Sequence, residues 1–265
     1  MNDLVRVGFV SLLIGAAGVC GAQVDEHLAP MPESDTADGE ELPQWNSLLD
    51  GWAGGVSLGL FGTEGNNDQF DVRAEIDGER DTKETRSTFL GTYSYATDND
   101  GISENEARLL GRNDWKFEDS KWFAFASGQF DYDEFQDWDT RVSIFGGPGY
   151  VWVDNDKQRF MTRAGAGATR EIGGSDNAWR AEGLLAAEYR RQLTERQLFN
   201  ASAEAFPDLG DIRNWRVQSR ATWEMLVDPE IALTLQIGVE NQYDTSPNGV
   251  QRSDTDYFIL LTWNY

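Results

Sequence analysis

Apolar and polar residues alternate along the chain from Gly51 to Tyr265, in segments that are separated by polar clusters. In an early segment Phe70, Val72, Ala74 and Ile76 are apolar, and the residues between them are charged. A period of two is typical of β-strands, because successive side chains point to opposite faces of a sheet. The pattern predicts strands near 52–62, 68–79, 84–96, 105–117, 121–132, 140–153, 158–170, 178–190, 196–206, 213–227, 230–243 and 254–265.

The number and length of these segments narrow the choice of fold. Each segment has roughly 10 to 15 residues, which exceeds the usual five or six of a soluble strand and is enough to cross a bilayer at a tilt. An even number of strands is expected for a bacterial single-chain barrel. The sequence therefore predicts an all-β fold, an antiparallel up-and-down transmembrane β-barrel of about twelve strands over residues 51–265.

The connections between the segments differ in length. Those at 118–120, 154–156 and 228–229 are tight turns, whereas those at 97–104, 133–139, 171–177 and 244–253 are longer. Short turns on one side and longer loops on the other are typical of bacterial outer-membrane barrels. The first connection, 63–67, is short for the long-loop side and fits this pattern less well.

The two faces of the predicted sheet differ in chemistry. The face expected to point outward carries aromatic residues at the ends of its rows, small or aliphatic residues between them and no charge. A soluble sheet with one wet face would alternate in the same way, but it has no reason to keep its aromatic residues at the row ends. The clearest outward row is the last one, formed by Tyr257, Ile259, Leu261, Trp263 and Tyr265. The candidate lumen charges on the inward face are Arg108, Arg112, Arg163, Arg180, Glu182, Glu188, Glu204, Arg216, Arg220 and Glu224.

Two zones precede the barrel. The apolar run from Val7 to Val19 follows Arg6 and ends at the small residues 20–22, which predicts a cleaved secretory signal peptide over residues 1–22. A lipoprotein signal with Cys20 as the modified residue and an uncleaved anchor are alternatives. Residues 23–50 are rich in Pro, Asp and Glu and are predicted to be an acidic disordered linker. A plug or a partner-binding segment is the alternative for this zone.

The net charge of −24, from 22 basic and 46 acidic residues, argues against nucleic acid as a partner. It also argues against docking onto anionic lipid by charge alone. Acidic groups in two predicted loops could hold divalent cations, but neither loop has the spacing of a dedicated calcium loop, and solvated acidic loops are the expected explanation of both. These groups are Asp131, Asp133, Glu134, Asp137 and Asp139 in one loop, and Asp98, Asp100 and Glu104 in the other.

Residues that usually carry catalysis are scarce. His27 is the only histidine and Cys20 the only cysteine, and both precede the predicted strands. Ser–His or Asp–His sites and structural zinc sites therefore lack a required residue in the barrel. The glycines of residues 164–168 are not followed by the Lys-Ser/Thr of a phosphate-binding loop. We expect no enzyme activity, no cofactor and no metal centre, and only an enzyme that uses carboxylates alone stays open.

Four stretches, 52–59 (WAGGVSLG), 64–68 (EGNND), 145–150 (FGGPGY) and 240–247 (ENQYDTSP), resemble the salt-induced outer-membrane protein family of the YdiY type. Members of that family often have Gly-Asn-Thr where this chain has Gly65-Asn66-Asn67. The resemblance runs from Trp52 to the C-terminus and implies an outer-membrane barrel without a defined activity. In addition, the row ending in Tyr265 resembles the C-terminal signal that the barrel-assembly machinery reads.

The expected function is that of an outer-membrane barrel of a Gram-negative cell, structural or porin-like with a narrow pore, related to salt or other stress. Its expected partners are outer-membrane lipids and the barrel-assembly machinery. The alternative is a soluble secreted β-barrel or sandwich that binds a small ligand, which would need the aromatic rows to be buried against another sheet. The solute, an open or plugged lumen, and the oligomeric state stay open at this point.

Overall fold

The computed structural model describes residues 51–63, 69–174, 177–246 and 252–265. The predicted signal peptide at 1–22 and the predicted linker at 23–50 lie outside the described residues. In the described ranges there is no helix long and apolar enough to cross a bilayer.

Twelve antiparallel strands form one closed barrel, which confirms the predicted fold class. Every strand pairs with its neighbours in the sequence, and the last strand pairs with the first at Gly55–Asn264 and Leu58–Leu261. The strands are β1 Ala53–Thr63, β2 Gln69–Asp81, β3 Thr85–Asp98, β4 Gly101–Lys116, β5 Trp122–Asp133, β6 Thr140–Asn155, β7 Gln158–Ile172, β8 Trp179–Thr194, β9 Gln197–Pro207, β10 Trp215–Asp228, β11 Leu233–Asp244 and β12 Ser253–Asn264.

The prediction of a long loop at 97–104 is wrong. Strands β3 and β4 continue through this region, with Thr97 opposite Ile102 and Asp98 opposite Gly101. The turn between them is two residues long, and Gly101 has a φ of 126°, a conformation that favours glycine. The polar composition of this region indicates contact with water, and a hairpin surrounded by water has no need for apolar alternation.

Connection length separates the two ends of the barrel. One end, here the short-turn end, has connections at 82–84, 117–121, 156–157, 195–196 and 229–232. The other, the long-loop end, has connections at 64–68, 99–100, 134–139, 173–178, 208–214 and 245–252. Apart from the tight turn at 99–100, this is the asymmetry that the sequence predicts.

Part of the interior is packed by aromatic rings that lie over glycines on neighbouring strands. Phe123 of β5 lies directly opposite Gly149 of β6. A Cβ atom at position 149 would come within 2.2 Å of the Phe123 ring. The glycine therefore makes room for a ring that belongs to the apolar cluster of Phe123, Phe125, Phe145, Met161, Leu184, Ala186 and Phe206.

We expect Gly149→Val to destabilise the barrel by about 1–3 kcal/mol, because the added side chain displaces a packed ring. Gly111→Val is the matched control, since a Cβ at this outward position of β4 meets nothing within 4 Å. The same residue type at a strand position should there be neutral or slightly stabilising. Urea unfolding of both variants in lipid vesicles measures the difference, and equal effects would contradict this account of the packing.

Candidate functional site

The outer surface of the barrel carries two rings of exposed aromatic residues. At the short-turn end Trp122 and Tyr150 have ring centroids 4.9 Å apart, and Tyr150 and Trp152 are equally close. At the long-loop end Trp215 and Tyr243 are 5.8 Å apart. Exposed members of the short-turn ring are Trp115, Phe117, Trp122, Trp152, Trp263 and Tyr265, and those of the long-loop ring are Phe70, Tyr93, Phe130, Trp179, Trp215 and Tyr257.

The band between the rings is apolar. Leu185 is 57% exposed, and Ile237 and Ile259 are also exposed. In the described strands the outward positions between the rings carry no charged side chain. On β8 ten residues separate Trp179 from Tyr189, which is about 33 Å along the strand and about 25 Å along the barrel axis at a tilt of ~40°.

The C-terminal row lies on this outer surface. The side chains of Tyr257, Ile259, Leu261, Trp263 and Tyr265 are all exposed, from 42% to 82%. The backbone N–H of Tyr265 donates to the carbonyl of Gly54 at 2.9 Å, beside the seam where β12 pairs with β1. The row is therefore accessible to another molecule at the point where the barrel closes.

The interior contains a first group of ion pairs, the β4–β8 cluster, formed by Arg112, Asp114, Arg163 and Glu188. Arg112 pairs with Glu188 at 2.6 Å, across strands that are four positions apart in the ring. Arg163 pairs with Asp114 at 2.7 Å and with Glu188 at 3.0 Å, and its side chain is 1% exposed. Two guanidinium groups thus face two carboxylates, and the cluster has no net charge.

A second group, the β2–β10 cluster, is formed by Arg73, Glu75, Arg220 and Glu240. Arg73 pairs with Glu240 at 2.8 Å and Arg220 with Glu75 at 2.6 Å, and Arg220 also pairs with Glu240. The guanidinium carbons of Arg73 and Arg220 lie 4.3 and 4.8 Å from the centroid of the Phe258 ring. This cluster also has no net charge, and cation–π contacts with the Phe258 ring stabilise both of its guanidinium groups.

These two clusters narrow the lumen at mid-height. All eight side chains are at most 21% exposed, and several pairs join strands that are not neighbours. Buried charges are tolerated when they are paired and hydrogen-bonded, and they are costly when one partner is missing. Side chains that meet across the interior occupy part of its cross-section at this level.

Beyond this layer, toward the long-loop end, the interior holds a vestibule with about 130 Å³ of space for water-sized groups. Four arginine–carboxylate pairs line it: Arg108–Asp131 at 2.8 Å, Arg141–Glu171 and Arg180–Glu171 at 2.6 Å, and Arg216–Glu182 at 2.8 Å. Trp138, in the loop 134–139, is buried in the vestibule wall, and the guanidinium of Arg141 lies 4.3 Å from its ring.

The remaining two lumen candidates lie apart from the vestibule pairs. Glu204 lines a smaller cavity with about 10 Å³ of space for water-sized groups, together with Arg112, Arg163 and several phenylalanine rings. Glu224 accepts a hydrogen bond from the side-chain amide of Asn200 at 2.7 Å, toward the short-turn end. The ten charges selected from the sequence therefore contribute to several different parts of the interior.

Among the carboxylates that complete these pairs, sequence reasoning missed Asp114 and Glu171 and assigned Asp131, which lies on β5, to an acidic loop. It also missed Trp138, because a loop residue has no periodic signal. Asp114 could have been found, since it lies two residues after Arg112 and therefore on the same face of β4. The partners that come from distant strands had no such local signal.

The acidic loops provide no metal centre in the part of the chain that the structure describes, where no group of three or more His, Cys, Asp or Glu residues is arranged to hold a metal ion. His27 and Cys20 lie outside the described residues. In the loop 208–214, hydrogen bonds from the Arg213 guanidinium at 2.9 and 2.7 Å lower the pKa of Asp211 to about 2. This carboxylate at the rim of the vestibule thus stays ionised at neutral pH.

Among solved structures the chain is similar in fold to three barrels of low sequence identity. The NanC porin is 11% identical, with a TM-score of 0.48, covering 80% of this chain and 98% of the porin. An outer membrane channel from Pseudomonas putida F1 is 12% identical, with a TM-score of 0.46, covering 88% and 99%. The β domain of the Bordetella autotransporter BrkA is 13% identical, with a TM-score of 0.40, covering 81% and 97%.

No curated protein matches the chain. A family model does match, over residues 56–265, which include nearly the whole barrel from β1 to β12. The family is described as "Protein of unknown function, DUF481", and its description assigns no activity. Because the match covers most of the sequence, the chain belongs to this family.

Proposed function

We propose that the protein is an outer-membrane β-barrel that forms a narrow passage for ions and small solutes and has no catalytic activity. The observation that carries the proposal is the outer surface, where two aromatic rings about 25 Å apart enclose an uncharged apolar band. This spacing equals the height of the lipid-facing band of transmembrane barrels. The charged interior fits the same location, because lumen residues contact water and each other rather than lipid.

A soluble barrel would have to leave this band in water. Leu185, Ile237, Ile259 and Tyr257 are all exposed on the outer surface, and they belong to a continuous band rather than to scattered positions. Soluble monomers seldom expose an apolar patch of more than a few hundred Å². Because lipid removes such surface from water at about 25 cal/mol per Å², a bilayer stabilises the observed arrangement and water does not.

The proposal extends to how the chain reaches the membrane. Residues 1–22 act as the signal peptide for export, and residues 23–50 follow the cleavage site as an acidic linker. The exposed row from Tyr257 to Tyr265 contacts the assembly machinery and afterwards the outer-membrane lipids. The resemblance to salt-induced outer-membrane proteins supports a role in salt or other stress.

We expect the protein to fractionate with the outer membrane and to need detergent for extraction. The folded barrel should migrate faster than the boiled chain on a gel, because the closed sheet resists unfolding by detergent alone. In planar bilayers it should give small single-channel conductances, since the two central clusters narrow the lumen. Recovery of the mature chain as a soluble monomer without detergent would contradict the membrane location.

A further inference from the structure

The charges in the vestibule are unevenly distributed around the barrel. On the wall from β6 to β10 the cations are Arg141, Arg180 and Arg216. Arg141 and Arg180 both pair with the Glu171 carboxylate, and Arg216 pairs with the Glu182 carboxylate. Glu182 also accepts a hydrogen bond from the Thr169 hydroxyl at 2.6 Å. These arginines are therefore held against carboxylates and offer little free positive charge to an anion.

The opposite wall, from β11 through β1 to β5, is strongly acidic. The carboxylates of Asp71, Glu104 and Asp254 interact electrostatically, and those of Glu106, Asp133 and Asp256 do so too. Of the arginines on this wall, Arg73 and Arg108 are already paired with Glu240 and Asp131, and Arg252, just before β12, is exposed at the rim. In the described part of the chain Glu104, Glu106, Asp254 and Asp256 form no ion pair.

A buried hydroxyl group points to a ligand on the acidic wall. Ser94 of β3 is 4% exposed and lies opposite Arg73 on one side and Glu106 on the other. Its hydroxyl is beside the Glu104 carboxylate but forms no hydrogen bond of good geometry. A buried hydroxyl without a well-formed partner is uncommon and calls for an explanation. A hydrated cation among these carboxylates could complete its hydrogen bonding.

The centres of the two walls, near β2 and β8, are six strands apart and so face each other across the twelve-stranded ring. A cleft that is lined by one sign of charge concentrates counter-ions, and its low-dielectric walls strengthen the effect. Carboxylate rings give cation selectivity to other pores by this means. The uncompensated charge on one side, with paired arginines on the other, sets the sign of the selectivity.

We propose that the vestibule at the long-loop end takes up small cations, inorganic ions or small amines, in preference to anions. The proposal deepens the proposed narrow passage and rests on it for transport, but uptake by the vestibule does not require that the lumen conducts. The residues that determine selectivity are Glu106 and Asp254, which line the vestibule, and Glu104 and Asp256, which lie two positions away on the same strands. The arginines of the facing wall keep the carboxylates Glu171 and Glu182 neutralised.

The test is the reversal potential of the full-length, refolded protein in a planar bilayer under a tenfold KCl gradient. We expect cations to be more permeant than anions. The variant with Glu104→Gln, Glu106→Gln, Asp254→Asn and Asp256→Asn should lower the cation-to-anion permeability ratio at least about threefold, because it removes most of the free charge of the wall. The matched control removes four exposed charges from turns at the other end: Glu118→Gln, Asp156→Asn, Glu195→Gln and Glu230→Gln. It should change the ratio little.

A channel that conducts without cation preference, or an unchanged ratio in the vestibule variant, overturns this inference and leaves the narrow passage standing. If no variant conducts, calorimetry with 1,4-diaminobutane on the folded barrel in detergent decides the matter. Binding that is lost in the vestibule variant and kept in the control supports the inference and contradicts the passage. No binding, or equal binding by both variants, overturns the inference. Heat-modifiable migration shows for each variant that the barrel has folded.

Discussion

Arginine in place of Leu185 is expected to destabilise the barrel in lipid by about 2–4 kcal/mol. Leu185 lies on β8 between Trp179 of the long-loop ring and Tyr189 near the short-turn end, and its side chain is exposed on the outer surface. A guanidinium at the middle of the bilayer loses its hydration and has no carboxylate within reach on this face. Unfolding by urea in vesicles of a single phospholipid measures the effect.

Leu193→Arg is the matched control for this prediction. Leu193 is on the same strand and is also exposed, but it lies beyond Tyr189 at the short-turn end, beside the charged residue Arg191. An arginine there reaches water and the lipid headgroups, so we expect a change of at most about 1 kcal/mol. If both variants were equally stable in lipid, the apolar band would not be a lipid-facing surface, and the proposed location would be wrong.

The strands could be predicted from the sequence because a surface that is apolar throughout imposes a strict rule on every second residue. Rows such as Trp179 to Tyr189 keep their apolar alternation wherever one face meets an apolar environment. This alternation is not required where both faces of the sheet are in contact with water. For this reason the paired ends of β3 and β4 around Asp98 and Gly101 were assigned to a loop.

For the interior, the sequence predicts which charged side chains point inward but not which of them pair with each other. Alternation indicates that Arg112, Arg163 and Arg220 point inward, but the partner of each depends on which strands face each other across the ring. Arg163 and Asp114 are 49 residues apart in the sequence, and Arg220 and Glu75 are 145 apart. These pairings follow from closure of the sheet and from the stagger of its strands. No local pattern contains that information.

Under the proposed cation preference, the unpaired carboxylates of the vestibule matter more for a solute than the arginines selected from the sequence. Arginines that are paired within the wall hold neighbouring strands together, whereas the proposal assigns the field that a solute would meet to acids without an ion pair, such as Glu106 and Asp254. The excess of acidic over basic residues in the whole chain already indicates the sign of this field. Only the structure shows that the excess collects on one side of the vestibule.

Arg163→Met is expected to have the largest effect among interior substitutions, a loss of about 3–5 kcal/mol. The guanidinium pairs with both Asp114 and Glu188 and is 1% exposed at the side chain, and it also lies 5.2 Å from the Phe123 ring. Methionine fills much of the same volume but leaves the neutral β4–β8 cluster with one uncompensated negative charge. Urea unfolding in lipid vesicles measures the loss, and single-channel recording should show a larger conductance.

The double variant Arg163→Met, Asp114→Asn separates charge from packing. It removes one positive and one negative group and keeps the Arg112–Glu188 pair at 2.6 Å, so the cluster is neutral again. We expect it to recover most of the lost stability, because replacing a whole buried pair by groups of similar volume is often close to neutral. A double variant as unstable as Arg163→Met would mean that shape rather than charge balance holds the centre of the lumen. The cluster would then act as packing, and the narrowing of the lumen would not depend on its ion pairs.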